Sequence, residues 1–253
     1  MSRGIPAGLR IVARDTADVT PIEAAQMQAL ATRCDPYLPS DHIQRAHLQR
    51  TPARYYLAFQ GERLVGMQSY VTHRALTPFD ARPLPVFEGR LTYKDPACAV
   101  RGLTARMSFH HVRQTLGPAF LLRTWVAIAH SPNPRVYAQF RSALAEVHPR
   151  LTADLPACAP RLVDFVSRIT GTPVSPHLVD HGDPHLPPAV DVSETFRPLY
   201  ATRNPTVDNA YFSLGIFERR GTGVWLTDRA LFVVGVHRPL RTLLHHVQRR
   251  LRR

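Results

Sequence analysis

A four-residue turn, Arg101-Gly102-Leu103-Thr104, joins a strand-like segment to a helical pattern that runs from about residue 103 to residue 116. The first backbone N–H groups of a helix lack intrahelical partners and lie at the positive end of its dipole, so a phosphate is stabilised there. Gly102 allows close approach to the main chain, Thr104 can donate its hydroxyl, and Arg106 can pair with a phosphate. The turn therefore predicts a phosphate site or, alternatively, an ordinary strand-to-helix connection with Gly102 as its turn residue.

The segment "HLVDHGDPH" places side chains of the types that bind metals within nine residues, among them His177, His181, Asp183 and His185. Imidazole and carboxylate groups are ligands that zinc accepts. Their spacing matches no finger or helical zinc motif, and the surrounding prolines favour a solvent-exposed loop. We therefore expect no metal site.

The C-terminal segment, residues 238–253, combines an apolar stripe with a cluster of arginines. Helical spacing places five apolar side chains on one face: Leu240, Leu243, Leu244, Val247 and Leu251. The arginines lie largely outside that face: Arg241, Arg249, Arg250, Arg252 and Arg253. The pattern predicts docking on an anionic membrane surface or an acidic protein partner, and a last core helix with a basic end is the alternative.

The net positive charge of the chain is large, but it reflects a bias in amino-acid composition rather than a set of residues that recognises nucleic acid. Among 253 residues the formal net charge is +13, Lys94 is the only lysine, and 23 residues are proline. Such a skew is typical of a GC-rich genome, so we expect no nucleic-acid partner. No segment approaches the roughly 18 apolar residues of a transmembrane helix, and we expect a soluble, cytoplasmic protein.

The order of apolar and polar residues predicts alternating helices and strands. The first half reads as a strand at 9–15, helices at 21–34 and 41–50, a hairpin at 55–59 and 64–73, a proline-rich loop at 77–85, a strand at 86–93, a helix at 103–116, a strand at 119–129 and a helix at 135–147. The second half reads as a helix at 159–171, a loop at 172–188 and strand-like runs at 209–218 and 223–237. His110 and His111 are predicted to lie on a helix surface.

This order of elements resembles the GNAT superfamily of N-acyltransferases over about residues 9–147. Three local sequences add to the resemblance. "GERLVGMQSY" resembles the second and third strands of the family, "VRGLTARM" its Arg-Gly turn, and "SPNPRVYAQF" the Asn-led helix after its fifth strand. The resemblance implies an α+β fold, with a mixed, largely antiparallel twisted sheet flanked by helices. We expect a single acyltransferase-like domain, extended by residues 148–237 and by the basic tail at 238–253.

The resemblance also implies which residues bind the acyl donor. They are Arg101, Gly102, Leu103, Thr104, Arg106 and Asn133. The turn of the family reads roughly Gln/Arg-x-x-Gly-x-Gly/Ala, so Thr104 and Arg106 stand where small residues are usual. The phosphate site is therefore expected to be altered.

Two further residues are implied to be catalytic. Glu88 lies in the third long strand, where the family frequently keeps the base that deprotonates the amine, and a rim ion pair with Arg90 is the alternative. The family often places a tyrosine two turns after the asparagine, as an acid for the leaving thiolate. Here that position is Phe140, so Tyr137, one turn earlier, is the nearest substitute.

The implied function is acyl transfer from a thioester donor to the amine of a small molecule. The donor is acyl-CoA or, because the turn is altered and the chain is basic, the phosphopantetheine of an acidic acyl carrier protein. The alternative is a non-catalytic binding or scaffold protein that keeps the acyltransferase-like fold. The sequence does not predict the oligomeric state.

Overall fold

The computed structural model describes residues 8–49, 52–180, 182 and 189–251. Its strands are β1 (Leu9–Asp15), β2 (Arg54–Gln60), β3 (Arg63–Thr77), β4 (Asp80–Lys94), β5 (Trp125–Ser131), β6 (Glu146–His148), β7 (Ala189–Asp191), β8 (Phe217–Arg220), β9 (Gly223–Thr227) and β10 (Leu231–His237). Its helices are α1 (Pro21–Cys34), α2 (Leu103–Leu116), α3 (Pro134–Ala143), α4 (Pro160–Thr170), α5 (Ser193–Thr195), α6 (Pro205–Ser213) and α7 (Pro239–Leu251). Shorter 3₁₀ or π-helical turns occupy Thr16–Asp18, Ile43–Leu48, Pro118–Leu122 and Phe196–Tyr200.

The strands form a seven-stranded sheet in the order β1-β2-β3-β4-β5-β10-β6 and a three-stranded sheet in the order β7-β9-β8. Antiparallel pairing joins β1 to β2, β2 to β3, and β10 to both β5 and β6. The predicted fold class, α+β with a mixed, largely antiparallel sheet flanked by helices, is confirmed.

The chain forms two compact units. The first contains residues 1–72 and 89–120, and the second contains residues 73–88 and 121–253. The predicted single domain, with extensions after residues 147 and 237, stays a prediction.

In the first unit, helix α1 begins where the sequence predicts because its first turn is capped from both sides. The Thr20 hydroxyl accepts the Glu23 N–H at 3.2 Å, and the Glu23 carboxylate accepts the Thr20 N–H at 3.0 Å. These two bonds satisfy donors that a helix start leaves without partners.

Helix α2 packs against the sheet of the first unit through its first turn. Leu103 is fully buried, and its Cδ2 atom lies 2.8 Å from where a Cβ on Gly66 of β3 would stand. The small residue on β3 therefore allows the start of α2 to approach the sheet. The core around this contact consists of Leu9, Tyr56, Ala58, Val65, Cys98, Leu103 and Met107.

In the second unit, β10 is buried along its whole length between β5 and β6. A Cβ on Gly235 of this strand would collide with Leu144 and Phe140, so the glycine lets α3 and the segment after it lie close to the strand. Helix α4 contributes Leu162, Phe165 and Val166 to a core that contains Leu84, Val86, Val126, Ile128, Leu178, Phe232 and Val234.

The predicted loop at 77–85 is wrong, because β4 already begins at Asp80. Pro83 is exposed and Pro85 half-buried, whereas Leu84 and Val86 between and after them are buried. Over residues 83–86 the prolines thus alternate with buried side chains, as expected for a strand with one buried face. Proline lacks the N–H donor and its ring fixes φ, so a strand tolerates it where no ladder hydrogen bond from that position is needed.

Four other segments differ from the prediction. The strand predicted at 119–129 begins only at Trp125, after a 3₁₀ turn over Pro118–Leu122. The helix predicted at 135–147 ends at Ala143, and Glu146–His148 pairs with β10 instead. Half of the strand predicted at 209–218 belongs to helix α6, and the side chain of Asn204 before this helix accepts the Thr206 N–H at 3.1 Å. The helix predicted at 41–50 is a π-helical turn over Ile43–Leu48.

The predicted C-terminal helix is present as α7. None of the helices in the described part of the chain combines the length and the apolar character that crossing a bilayer would require.

Candidate functional site

The Arg-Gly turn of the first unit opens toward solvent at the start of α2. Gly102 is the residue before the first helical turn and has φ 67° and ψ 22°, a left-handed conformation that favours glycine. No heavy atom lies within 4 Å of where its Cβ would stand, and both Arg101 and Gly102 are exposed. No side chain caps this helix end. The first N–H groups of a 14-residue helix are therefore left open to an external anion.

Of the predicted donor-binding residues, the structure brings five together on this turn. Leu103 is buried and holds the turn against β3, whereas Thr104 and Arg106 are half-buried. The carbonyl of Gly102 accepts the Arg106 N–H at 3.0 Å, which is the first bond of the helix. The sixth predicted residue, Asn133, belongs to the second unit.

A buried polar network lies on α2 two turns after the Arg-Gly turn. His111, predicted to be on the helix surface, is only 1% exposed, and this prediction is wrong. Its Nδ1 lies 3.0 Å from the Tyr56 hydroxyl, its Nε2 lies 3.2 Å from the Thr72 hydroxyl, and its ring stacks on Tyr70 at 4.4 Å. Hydroxyls on two neighbouring strands thus supply the partners that a buried imidazole needs.

The network fixes His111 in its neutral form. Burial, and then the positive charge of Arg54, lower the pKa of His111 to about 4. The Tyr56 hydroxyl also donates to Gln114 Oε1 at 2.9 Å, so it can accept a proton from Nδ1 while Thr72 donates to Nε2. One neutral tautomer therefore satisfies all these groups at once.

This histidine makes stability depend on pH. The pKa of an unfolded histidine is about 6.5, so the unfolded chain binds the proton first and the folded state loses stability as the pH falls from about 6.5 to about 4. We expect a loss on the order of 3 kcal/mol over that interval. Replacing the imidazole by an amide, His111→Gln, should remove this part of the pH dependence, whereas His110→Gln at the exposed neighbour should leave most of it. Urea unfolding at several pH values measures both, and equal slopes in the two variants would contradict the assignment.

In the second unit, Glu88 forms a close pair with a histidine that the sequence did not indicate. His73 Nε2 donates to Glu88 Oε2 at 2.9 Å, with side-chain exposures of 27% and 7% respectively. The two residues lie on β3 and β4, which form one long hairpin. Because the sequence predicted a loop at 77–85 between shorter strands, it did not predict that His73 and Glu88 lie side by side. The buried carboxylate thus orients a more accessible imidazole.

A second histidine–carboxylate pair in this unit was also missed. His130 Nε2 lies 2.6 Å from Asp180 Oδ2, and the imidazole stacks on Phe232 at 4.2 Å. The other carboxylate oxygen accepts the Ala230 N–H at 2.9 Å. Fifty residues separate the partners, so no local spacing could have predicted the contact.

Tyr137 and Asn133 lie on α3 and at its start, as predicted. The Tyr137 oxygen is buried and accepts the Leu151 N–H at 3.2 Å. Asn133 accepts the Arg135 N–H at 3.0 Å as a helix cap and donates its amide to the Leu199 carbonyl at 3.2 Å. Both side chains therefore make structural hydrogen bonds within the second unit.

Tyr137 also lines a cavity of about 770 Å³ in the second unit. Three arginines of this unit line the same space: Arg141 of α3, Arg150 after β6 and Arg241 of α7. Glu146 is the carboxylate in its wall, and it pairs with Arg238 at 3.1 Å and Arg241 at 3.6 Å. Glu88 and Asn133 are not among the cavity-lining residues. The cavity is cationic and suits an anion.

The histidine-rich segment shows no metal centre in the part that can be described. His181, Asp183 and His185 lie outside the described residues. Within the ranges given above, no three histidine, cysteine, aspartate or glutamate side chains come close enough to hold a metal ion.

Comparison with known proteins finds similarity among solved structures. IAA acetyltransferase from Bacillus cereus ATCC 14579 is 15% identical, with a TM-score of 0.35, over 55% of this chain and 79% of that chain. Arabidopsis thaliana NAA60, in complex with a bisubstrate analogue, is 13% identical, with a TM-score of 0.37, over 53% of this chain and 82% of that one. Aminoglycoside N-acetyltransferase AAC(6')-Iy, in complex with CoA, is 17% identical, with a TM-score of 0.31, over 45% of this chain and 75% of that chain.

No protein-family model matches the chain, and no curated protein matches it.

The order of elements agrees with the resemblance stated above. β1, α1, the β2–β3 hairpin, β4, α2, β5 and α3 follow one another as predicted, with the Arg-Gly turn before α2 and Asn133 before α3. The predicted order of elements is thus observed, and membership of the GNAT superfamily stays a prediction.

Proposed function

We propose that this protein is an N-acyltransferase that moves an acyl group from a thioester to an amine. In the reaction, the amine nitrogen attacks the thioester carbonyl carbon, the new C–N bond forms and the C–S bond breaks. The amine loses a proton and the leaving thiolate gains one, so the products are an amide and a free thiol.

The observation that carries the proposal is the open Arg-Gly turn. A left-handed Gly102 with free space in front of it, at an uncapped helix start, is suited to a phosphate of coenzyme A or of phosphopantetheine. The exposed guanidinium of Arg101 adds a positive charge next to these N–H groups, and Arg106 follows on the first turn of the helix. The donor would therefore be held mainly by main chain, with arginine side chains adding charge.

The His73–Glu88 pair is our candidate for removing the amine proton. The exposed fraction of His73 is larger, so its imidazole would take the proton while the Glu88 carboxylate stabilises the imidazolium. This refines the sequence-based role of Glu88 from base to the group that orients the base.

Tyr137 is our candidate acid for the leaving thiolate, and its contribution should be modest. A thiol has a pKa of about 8.5, so a thiolate leaves readily and water can protonate it. We expect Tyr137→Phe to lower turnover less than a change at Glu88 does, and to reduce stability by about 1–3 kcal/mol because the buried Leu151 N–H loses its acceptor. Turnover and urea unfolding, measured on the same preparation, separate the two effects. Unchanged turnover would assign Tyr137 a structural role alone.

The finer choice of donor is between acyl-CoA and an acyl carrier protein. Both carry phosphopantetheine, so the Arg-Gly turn suits either. The direct experiment is to incubate the protein with acetyl-CoA, longer acyl-CoAs and acyl carrier protein, each with a panel of amines, and to measure the release of free thiol. Amine-dependent release supports the proposal. Donor binding without release would favour the alternative below.

A binding protein that keeps the fold without the chemistry is the second candidate. Phe140 favours it, because the position where the family often has a tyrosine holds a side chain that packs against β10 at Gly235. Such a protein would gain thermal stability with a thioester donor but release no thiol.

A further inference from the structure

Helix α7 presents an apolar stripe that the rest of the second unit leaves uncovered. Its five apolar side chains are strongly exposed: Leu240 at 77%, Leu243 at 61%, Leu244 at 59%, Val247 at 46% and Leu251 at 82%. Their spacing of three, one, three and four residues places them within about one third of the helix circumference. The alternative of a last core helix is therefore wrong for this face.

The opposite face of α7 is the one that contacts the unit. Thr242 is buried, and His245 Nε2 lies 3.1 Å from the Arg141 carbonyl oxygen. At about 100° per residue, Thr242 and His245 lie across the helix from the apolar stripe. The stripe consequently points away from the second unit.

The surroundings of the stripe are cationic. Residues 238–253 contain six arginines and neither aspartate nor glutamate. Arg241 and Arg250 are exposed and lie on opposite borders of the stripe. Beside the helix, the cavity described above adds Arg141 and Arg150. Its carboxylate, Glu146, is already paired with Arg238 and Arg241.

We propose that α7 lies in the plane of an anionic membrane surface. The leucines and the valine would enter the boundary between headgroups and acyl chains, and the bordering arginines would contact lipid phosphates. A second copy of the chain is a poor occupant, because two helices with this charge would repel each other. The five exposed apolar side chains form one stripe bordered by exposed arginines, which is the pattern of a helix that lies in a lipid interface, so binding to an acidic protein is treated as an outcome of the test.

The test is co-sedimentation of the full chain with vesicles of phosphatidylcholine alone and of phosphatidylcholine with phosphatidylserine, at low and high salt. Binding should require phosphatidylserine and weaken with salt. Arg241→Glu should weaken it by about fivefold or more, as expected from about 1 kcal/mol per basic residue near such a surface.

A matched pair of variants tests the position of the apolar contact. Leu240→Glu and Ile22→Glu make the same kind of change at side chains that are 77% and 74% exposed, so both should fold normally. Ile22 belongs to α1 of the first unit. Only Leu240→Glu should abolish vesicle binding.

Three results would overturn the proposal. The first is no binding to either vesicle, or equal loss in the two glutamate variants. The second is a concentration-dependent dimer that Leu240→Glu dissociates, which would assign the stripe to a second copy. The third is Leu240-dependent binding of an acidic carrier protein without vesicle binding, which would assign it to a protein partner.

Discussion

Replacing Glu88 by glutamine is expected to lower turnover by about 10²- to 10⁴-fold, the range that loss of acid–base catalysis produces. The amide keeps the size of the side chain but cannot stabilise a positive charge on His73, to which the carboxylate is hydrogen-bonded at 2.9 Å. An amide partner also leaves the imidazole free to adopt the other tautomer. The measurement is thiol release with a donor and an amine for which the wild-type protein is active.

Asp180→Asn is the matched control for this prediction. It changes the carboxylate of the other histidine–carboxylate pair in the same unit, and that carboxylate is equally buried. Turnover in Asp180→Asn should stay near that of the wild type once stability is taken into account. The reverse result, with Asp180→Asn inactive and Glu88→Gln active, would show that His130 is the base.

Replacing Gly102 by valine is expected to abolish measurable binding of coenzyme A. The new side chain would occupy the open space in front of the first N–H groups of α2. Valine is also strained at a φ of 67°, so stability should fall by about 1–2 kcal/mol. Calorimetric titration with coenzyme A, together with urea unfolding, measures both effects.

Gly171→Val provides the same backbone strain at a different place. Gly171 ends α4 with a φ of 69°, and it too has no heavy atom within 4 Å of its Cβ position. The two valine variants should lose similar stability, but only Gly102→Val should lose coenzyme A. Equal losses of affinity in both variants would mean that the Arg-Gly turn is an ordinary connection.

Local signals predicted the elements whose ends are determined by nearby residues. Helix α1 begins with the Thr20–Glu23 capping box, and α2 and α4 follow or precede glycines in the left-handed region. These signals act over a few residues, so they are readable in the sequence. The start of α6 carries the same kind of signal, Asn204-Pro205, which resembles Asn133-Pro134 before α3, but the strand-like pattern of residues 209–218 favoured a strand.

Segments whose structure depends on distant partners were predicted less well. Residues 146–148 have helix-compatible neighbours, but their backbone pairs with β10, almost ninety residues later in the chain. In the strand over Asp80–Lys94, the packing of Leu84 and Val86 with distant residues of the second unit outweighs the local preference of the prolines for a loop. Tertiary pairing overrides local preference in both cases.

The candidate site was predictable only where it is formed by one continuous segment. Arg101 to Arg106 lie on a single turn and helix start, so the exposed Gly102 and the start of α2 were predictable from the local sequence, whereas donor binding by these residues stays a prediction. His73 could not be assigned to Glu88, nor His130 to Asp180, because each pair forms only after the strands are in register. The burial of His111 likewise depends on hydroxyls from β2 and β3.

The central claim is that a thioester donor binds at the Arg-Gly turn, and amide hydrogen exchange in the presence of coenzyme A tests it most directly. The backbone N–H groups of residues 103–105 start a helix without intrahelical acceptors, so they should exchange quickly in the free protein. Bound phosphate should slow their exchange in the wild type and in Gly171→Val, but not in Gly102→Val. Protection confined to the cavity of Arg141, Arg150 and Arg241, or no protection with either coenzyme A or acyl carrier protein, would contradict the claim.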